Sequence, residues 1–91
     1  MLVEFDPVKR QRTLDERGLD MAEAGLVFDS PTVTTEDDRR IYAERRFVTI
    51  GRLRGRLVVV IWTPRGAATR VISMRKANER EKKRLGAYLE I

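Results

Sequence analysis

The chain has no cysteine and no histidine. The first absence removes disulfides and thiolate–zinc sites together. The second removes the side chain that ordinarily exchanges protons near neutral pH and is the commonest metal ligand. Long apolar runs are also missing. The longest, Leu57 to Trp62, falls far short of the roughly 20 residues that cross a bilayer. The opening Met1-Leu2-Val3-Glu4-Phe5-Asp6 lacks the basic start and apolar stretch of a signal peptide, so a cytoplasmic location is expected. No stretch has linker composition and no segment repeats; with 91 residues, one domain spanning 1–91 is expected.

Charge is abundant and unevenly placed. The formal net charge is +5. Between Gly18 and Asp38 stand six carboxylates (Asp20, Glu23, Asp29, Glu36, Asp37, Asp38) and no basic side chain. From Arg39 to Lys76 there are eleven basic residues against the single acid Glu44. Such asymmetry within a short chain is an electrostatic footprint for a polyanion, and points to nucleic acid. The acidic stretch is either a second contact or a solubility feature.

Local signals place the elements. Phe5-Asp6-Pro7 reads as the end of a short strand and the start of a helix, with Asp6 as cap and Pro7 at the first helical position. That helix runs to about Arg17 and stops at Gly18. A second follows from Asp20, with Glu23 as its capping partner and Met21, Ala24, Val27 and Phe28 on one face, and ends at Pro31. Thr32–Thr35 and Phe47–Ile50 read as strands, separated by a turn at Glu36-Asp37-Asp38. Gly51 and Gly55 bracket a connection. Leu57–Trp62, apolar on both faces, reads as the central strand, Pro64-Arg65-Gly66 as a turn, and Thr69–Met74 as the next strand. A last helix starts at Asn78, boxed by Glu81, and carries Leu85, Tyr88 and Leu89 on one face. The fold class is α+β: two N-terminal helices, an antiparallel meander of about four strands and a C-terminal helix.

Phe5-Asp6 with Lys9, Gly18, Ala24 and Phe28, then Tyr42-Ala43-Glu44-Arg45-Arg46-Phe47 with Ile50-Gly51, then Arg70-Val71-Ile72-Ser73-Met74-Arg75-Lys76-Ala77 with Glu81, resemble in order and spacing the BrnT family of toxins. The resemblance implies a RelE-like fold, metal-free RNA cleavage without cofactor, and a cognate DNA-binding, BrnA-like antitoxin as partner. The chain departs from the family pattern at Glu16-Arg17, where many members have Lys-His, and at Phe5, Ala43 and Leu85, where Trp, Gly and Tyr are common.

RNA can be cut by its own 2′-hydroxyl, so the protein need only orient the backbone, neutralise phosphoryl charge and move protons. Arginine suits the second task because its planar fork donates two parallel hydrogen bonds to phosphate and keeps its charge. Arg46, Arg70 and Arg75 are the candidate clamp, with Lys76, Arg80 and Lys9 as further RNA contacts. Glu44 is either a general base or the ion-pair partner of a neighbouring arginine. On a regular strand Arg70 and Arg75 point to opposite faces, so a shared site requires a bulge; otherwise Arg70 braces Glu44. Trp62 and Phe47 are core residues or base-stacking platforms. Glu36, Asp37 and Asp38 are read as solvated turn residues rather than metal ligands. Two non-enzymatic alternatives remain: a nucleic-acid-binding module, or an antitoxin-binding partner.

Overall fold

A computed structural model describes residues 1–89. The elements are β1 (Leu2–Glu4), α1 (Pro7–Arg17), a 3-10 turn (Met21–Glu23), α2 (Ala24–Asp29), β2 (Val33–Glu36), β3 (Phe47–Leu53), β4 (Arg56–Arg65), β5 (Ala68–Lys76) and α3 (Glu79–Leu89). The α+β class is as expected. The strand count is not: β1 joins the sheet, which has five strands in the order β1-β5-β4-β3-β2. β1 runs parallel to β5, whereas β2 to β5 form the antiparallel meander. Three residues before a proline carry little strand signal. The pairing Leu2↔Ala68 through Glu4↔Arg70 supplies what local propensity lacks.

The caps behave as their chemistry dictates. Asp6 accepts from the backbone of Val8 at 2.8 Å, Pro7 occupies the first turn, and Gly18 closes α1 at φ 68°. The second predicted helix is split, because Asp20 caps only the 3-10 turn and α2 then starts at Ala24. Gly51 does not begin a connection. It lies inside β3, where a Cβ would come within 2.8 Å of Ser30 Oγ and 2.9 Å of Val27 O. The turn is Arg54-Gly55, with φ of 50° and 78°, the two left-handed residues that a tight hairpin takes. Pro64 likewise stays within β4 rather than turning. It lies past the end of β3, where β4 has one neighbour and the lost N–H is tolerated.

The two sheet faces are covered differently. Val58, Val60, Val71 and Met74 meet Leu19, Met21, Ala24 and Val27 from the N-terminal helices, with Phe28 and Trp62 packed alongside. On the opposite face Ile50, Leu57 and Val59 meet Ala77, which precedes α3, and Leu85 and Leu89 of α3. Tyr88, expected with the latter pair, is instead 78% exposed. Trp62 packs against the core and donates to Thr49 Oγ1 at 2.8 Å, and the half-buried Phe47 stacks on it with centroids 4.9 Å apart. No described helix is long and apolar enough to cross a membrane.

Candidate functional site

The α3 face is only partly roofed. Asn78 and Glu81 cap each other reciprocally, Asn78 Oδ1 accepting from Glu81 N at 2.8 Å and Glu81 Oε1 from Asn78 N at 2.9 Å, as the sequence predicts. Glu81 also receives a two-bond fork from Arg75, at 2.8 and 3.0 Å, which ties the start of α3 to β5. Arg75's hydrogen bonds hold the Glu81 carboxyl below its ordinary range, and Glu81 raises Arg75 in return. Beside this pair, between β2, β3 and α3, opens a cleft of about 510 Å³. Its floor is aliphatic (Val33, Val48, Ile50, Ile61, Leu85), and Arg39, Arg75 and Arg84 stand around it with the four acids Glu36, Asp37, Asp38 and Glu81. Arg39 lies close enough to Arg75 to oppose its charge. Each of the two is paired with a carboxylate, Arg39 with Asp37 and Arg75 with Glu81.

The parity conflict between Arg70 and Arg75 is resolved by a bulge. Ile61 pairs with Ser73 but Trp62 with Val71, so Ile72 is an extra residue in β5. Val71 and Met74, three apart, therefore both enter the core beneath α1 and α2. Arg70 pairs with Thr63 and Arg75 with Val59, two β4 residues of the same parity, so both arginines belong to the α3 face. They stand roughly 15 Å apart along the strand at ~3.3 Å per residue, too far to fork one phosphate. Arg70 does not brace Glu44; its carboxylate neighbour is Glu4 on β1, at 3.7 Å.

Glu44 and Arg46 lie in the segment preceding β3. The Arg46 guanidinium reaches Glu44 Oε1 at 3.3 and 3.4 Å and lies over the Tyr42 ring, 4.2 Å from its centroid. The ion-pair reading of Glu44 is thus realised, with long bonds and with the carboxylate still 39% exposed.

The remaining candidates separate. The Lys9 ammonium donates to Ile72 O, and Arg17 to Met74 O at 2.9 Å. Both close the edge of β5 beyond the short β1, which gives Lys9 a structural task. Lys76 is exposed at the end of β5. Arg80 lies with Lys83 and Arg84 in a shallow hollow on the outer side of α3. The acids Glu36 and Asp37 are engaged by arginines, Glu36 by Arg45 at 2.9 and 3.1 Å and Asp37 by Arg39 at 2.9 and 3.0 Å. Asp37 is buried, not a solvated turn residue. Asp20 and Glu23 pair with Arg10 and Arg54, so much of the acidic stretch is spent within the molecule.

Sequence reasoning missed Arg39 and Glu4. Glu4 required knowing that β1 pairs with β5, and Arg39 required the loop's internal hydrogen bonds.

Fold and site together define a small α+β protein with a cleft lined by paired arginines and carboxylates on one face of its sheet. The family described as ribonuclease toxin, BrnT, of type II toxin–antitoxin systems matches residues 5–81. The chain belongs to that family, and as a toxin of such a system it has RNA as substrate and an antitoxin as partner. No curated protein is similar enough to match it.

Proposed function

We propose that this protein is an endoribonuclease toxin that cuts RNA through attack of the substrate's own 2′-hydroxyl, without metal, and so stops translation. In this step the 2′-oxygen bonds to phosphorus as the bond to the 5′-oxygen breaks. The 2′-proton leaves to a base, and the departing oxygen takes up a proton. The products are a 2′,3′-cyclic phosphate and a 5′-hydroxyl. The observation that carries this reading is the β5 bulge, which puts Arg70 and Arg75 on one sheet face in a member of a ribonuclease family.

Arg75, with Arg39 and Arg84 around the cleft, neutralises the phosphoryl group undergoing attack, where losing one preorganised donor typically costs on the order of 10²–10³ in rate. Arg70 grips a second phosphate further along the strand, and Arg80 extends the cationic surface, whereas Lys76, paired with Val58, belongs to the opposite sheet face. Glu81 is a poor proton acceptor, because Arg75 holds its carboxylate in the ionised state. Glu44, bound only by long contacts from Arg46, is the better base. Lys9 is not part of this surface. The antitoxin, of the DNA-binding BrnA-like kind, silences the toxin by covering the same arginines.

The test is purified protein on RNA with chelator present and end-group analysis of the products. Cyclic phosphate ends that persist in chelator and vanish in Arg75→Ala are expected. Ends bearing a 5′-phosphate, or cleavage abolished by chelator, would refute the mechanism. Tight RNA binding with no cutting at all would favour a non-catalytic module, a reading to which the carboxylate beside each of Arg46, Arg70 and Arg75 lends weight.

A further inference from the structure

The chemistry above leaves unused one buried carboxylate. Asp37, whose side chain is 3% exposed, sits where the segment leading to β3 leaves β2. Its backbone N–H donates to Arg46 O at 2.8 Å, closing the neck of that segment. Its carboxylate accepts from Arg39 Nε at 2.9 Å, Arg39 Nη2 at 3.0 Å, the Arg39 backbone N–H at 3.3 Å and Tyr42 Oη at 3.0 Å. Tyr42 in turn offers its ring to the Arg46 guanidinium at 4.2 Å. One acid therefore organises two arginines, Arg39 directly and Arg46 by way of an aromatic ring.

We propose that Asp37 is a positioning residue of the RNA site, holding Arg39 at the cleft opposite Arg75 and, through Tyr42, Arg46 beside Glu44, without touching RNA itself. This rests on the ribonuclease reading given above. A buried acid with four donors is costly to assemble if its only task is to fill space, which an apolar side chain would do better. What the carboxylate adds is direction. Arginine gains most from its fork when that fork is fixed before the phosphate arrives, because less rotamer freedom is then lost on binding. The Arg39 guanidinium is favoured first by Asp37 and then by Tyr42, which Asp37 itself holds. The Arg39 hydrogen bonds, with that of Tyr42, keep the Asp37 carboxyl far below its ordinary range, so this hub stays charged at every pH where RNA is handled.

The test joins arginine side-chain spectra with RNA measurements. In ¹⁵N-labelled protein, Asp37→Asn should shift the Nε–H signals of Arg39 and Arg46 towards those of a free side chain and leave Arg70 in place. Cleavage should fall on the order of 10–100-fold, the scale of a small misplacement at a reacting group. That loss should be non-additive with Arg46→Ala and additive with Arg70→Ala. Unmoved Arg39 and Arg46 signals, or full additivity with Arg46→Ala, would overturn this role. Should Asp37→Asn not fold, Tyr42→Phe keeps the ring and drops one donor; an unshifted Arg46 signal there would be equally fatal. If the native chain cuts no RNA, the ribonuclease reading falls, while the spectra still decide whether Asp37 holds these arginines.

Discussion

The two faces of the sheet are built from alternate residues of the same strands and end up with opposite properties. Beneath α1 and α2 the surface is closed: Val58, Val60 and Met74 are 0% exposed, and the polar group there, Thr49, is bonded to both Thr34 and Trp62. Beneath α3 a single helix covers Ile50, Leu57 and Val59 and leaves the rest to a cleft and to arginines. One face carries most of the apolar burial, the other a set of arginine–carboxylate pairs. Because strand residues alternate, one residue step in β5 crosses from one regime to the other.

The sharpest way to break that comparison is a pair of neighbouring substitutions. Met74 is fully buried beneath the helices, and Arg75 is next to it on the other face. Met74→Ala should destabilise by about 2–5 kcal/mol, a large share of the ~5–15 kcal/mol available to a domain. Arg75→Ala should lower RNA cleavage on the order of 10²–10³-fold. Its effect on stability should stay within about 1 kcal/mol, since it removes one partly exposed ion pair. Urea unfolding followed through the lone Trp62, beside cleavage assays on the folded fraction, separates the two. Comparable stability losses in both variants would show that the faces are not divided in this way.

A smaller effect sharpens the picture of the closed side. The C-terminal end of α2 lies directly on β3 at Gly51, and Ser30 Oγ bridges Val27 O at 2.6 Å and Arg52 N at 2.9 Å. Gly51→Ala forces a methyl into that contact and should cost about 1–3 kcal/mol through overpacking. Gly86→Ala meets nothing within 4 Å and lies within α3, so it should be neutral or stabilising by up to about 1 kcal/mol. Equal melting temperatures for the two would contradict the close approach at Gly51.

The closed face was the more legible of the two in the amino-acid pattern. Its caps, its helical stripe at Met21, Ala24 and Val27, and the doubly apolar Leu57–Trp62 run are local signals, read within a few residues of where they act. The α3 face was only half legible. The arginines were visible, but that Arg70 and Arg75 share a face depends on an extra residue at Ile72 that no propensity marks, and a bulge changes the side of everything beyond it. Asp37 read as one of three solvated acids because its donors, Arg39 and Tyr42, bind it through a loop conformation rather than a spacing. Glu4 was invisible as a partner of Arg70 because β1 is short and its pairing is long-range. Lys9 was identified through likeness to a family, yet its contact with Ile72 O is a matter of sheet-edge geometry.

The gentlest probe uses acid. Asp20, Glu23, Glu36, Asp37 and Glu81 all have carboxyls held below their ordinary values, in each case chiefly by an arginine hydrogen bond. A carboxyl depressed in the folded chain gives stability that is present above its unfolded value, about 3.9 for Asp and 4.3 for Glu, and lost as pH falls through the folded one. Stability should therefore rise with pH up to about 5 and then, with no histidine to titrate, stay nearly level towards pH 9. Among these groups Glu81 belongs to the α3 face and is the one whose removal tests the join between α3 and β5. Glu81→Gln should lower stability at pH 7 by about 0.5–1 kcal/mol. That difference should shrink as the native carboxyl becomes protonated in acid. A gap between native and variant urea midpoints that stays constant from pH 3 to pH 7 would mean the Arg75–Glu81 fork contributes nothing through its charge, and that α3 is held to the sheet by Leu85 and Leu89 alone.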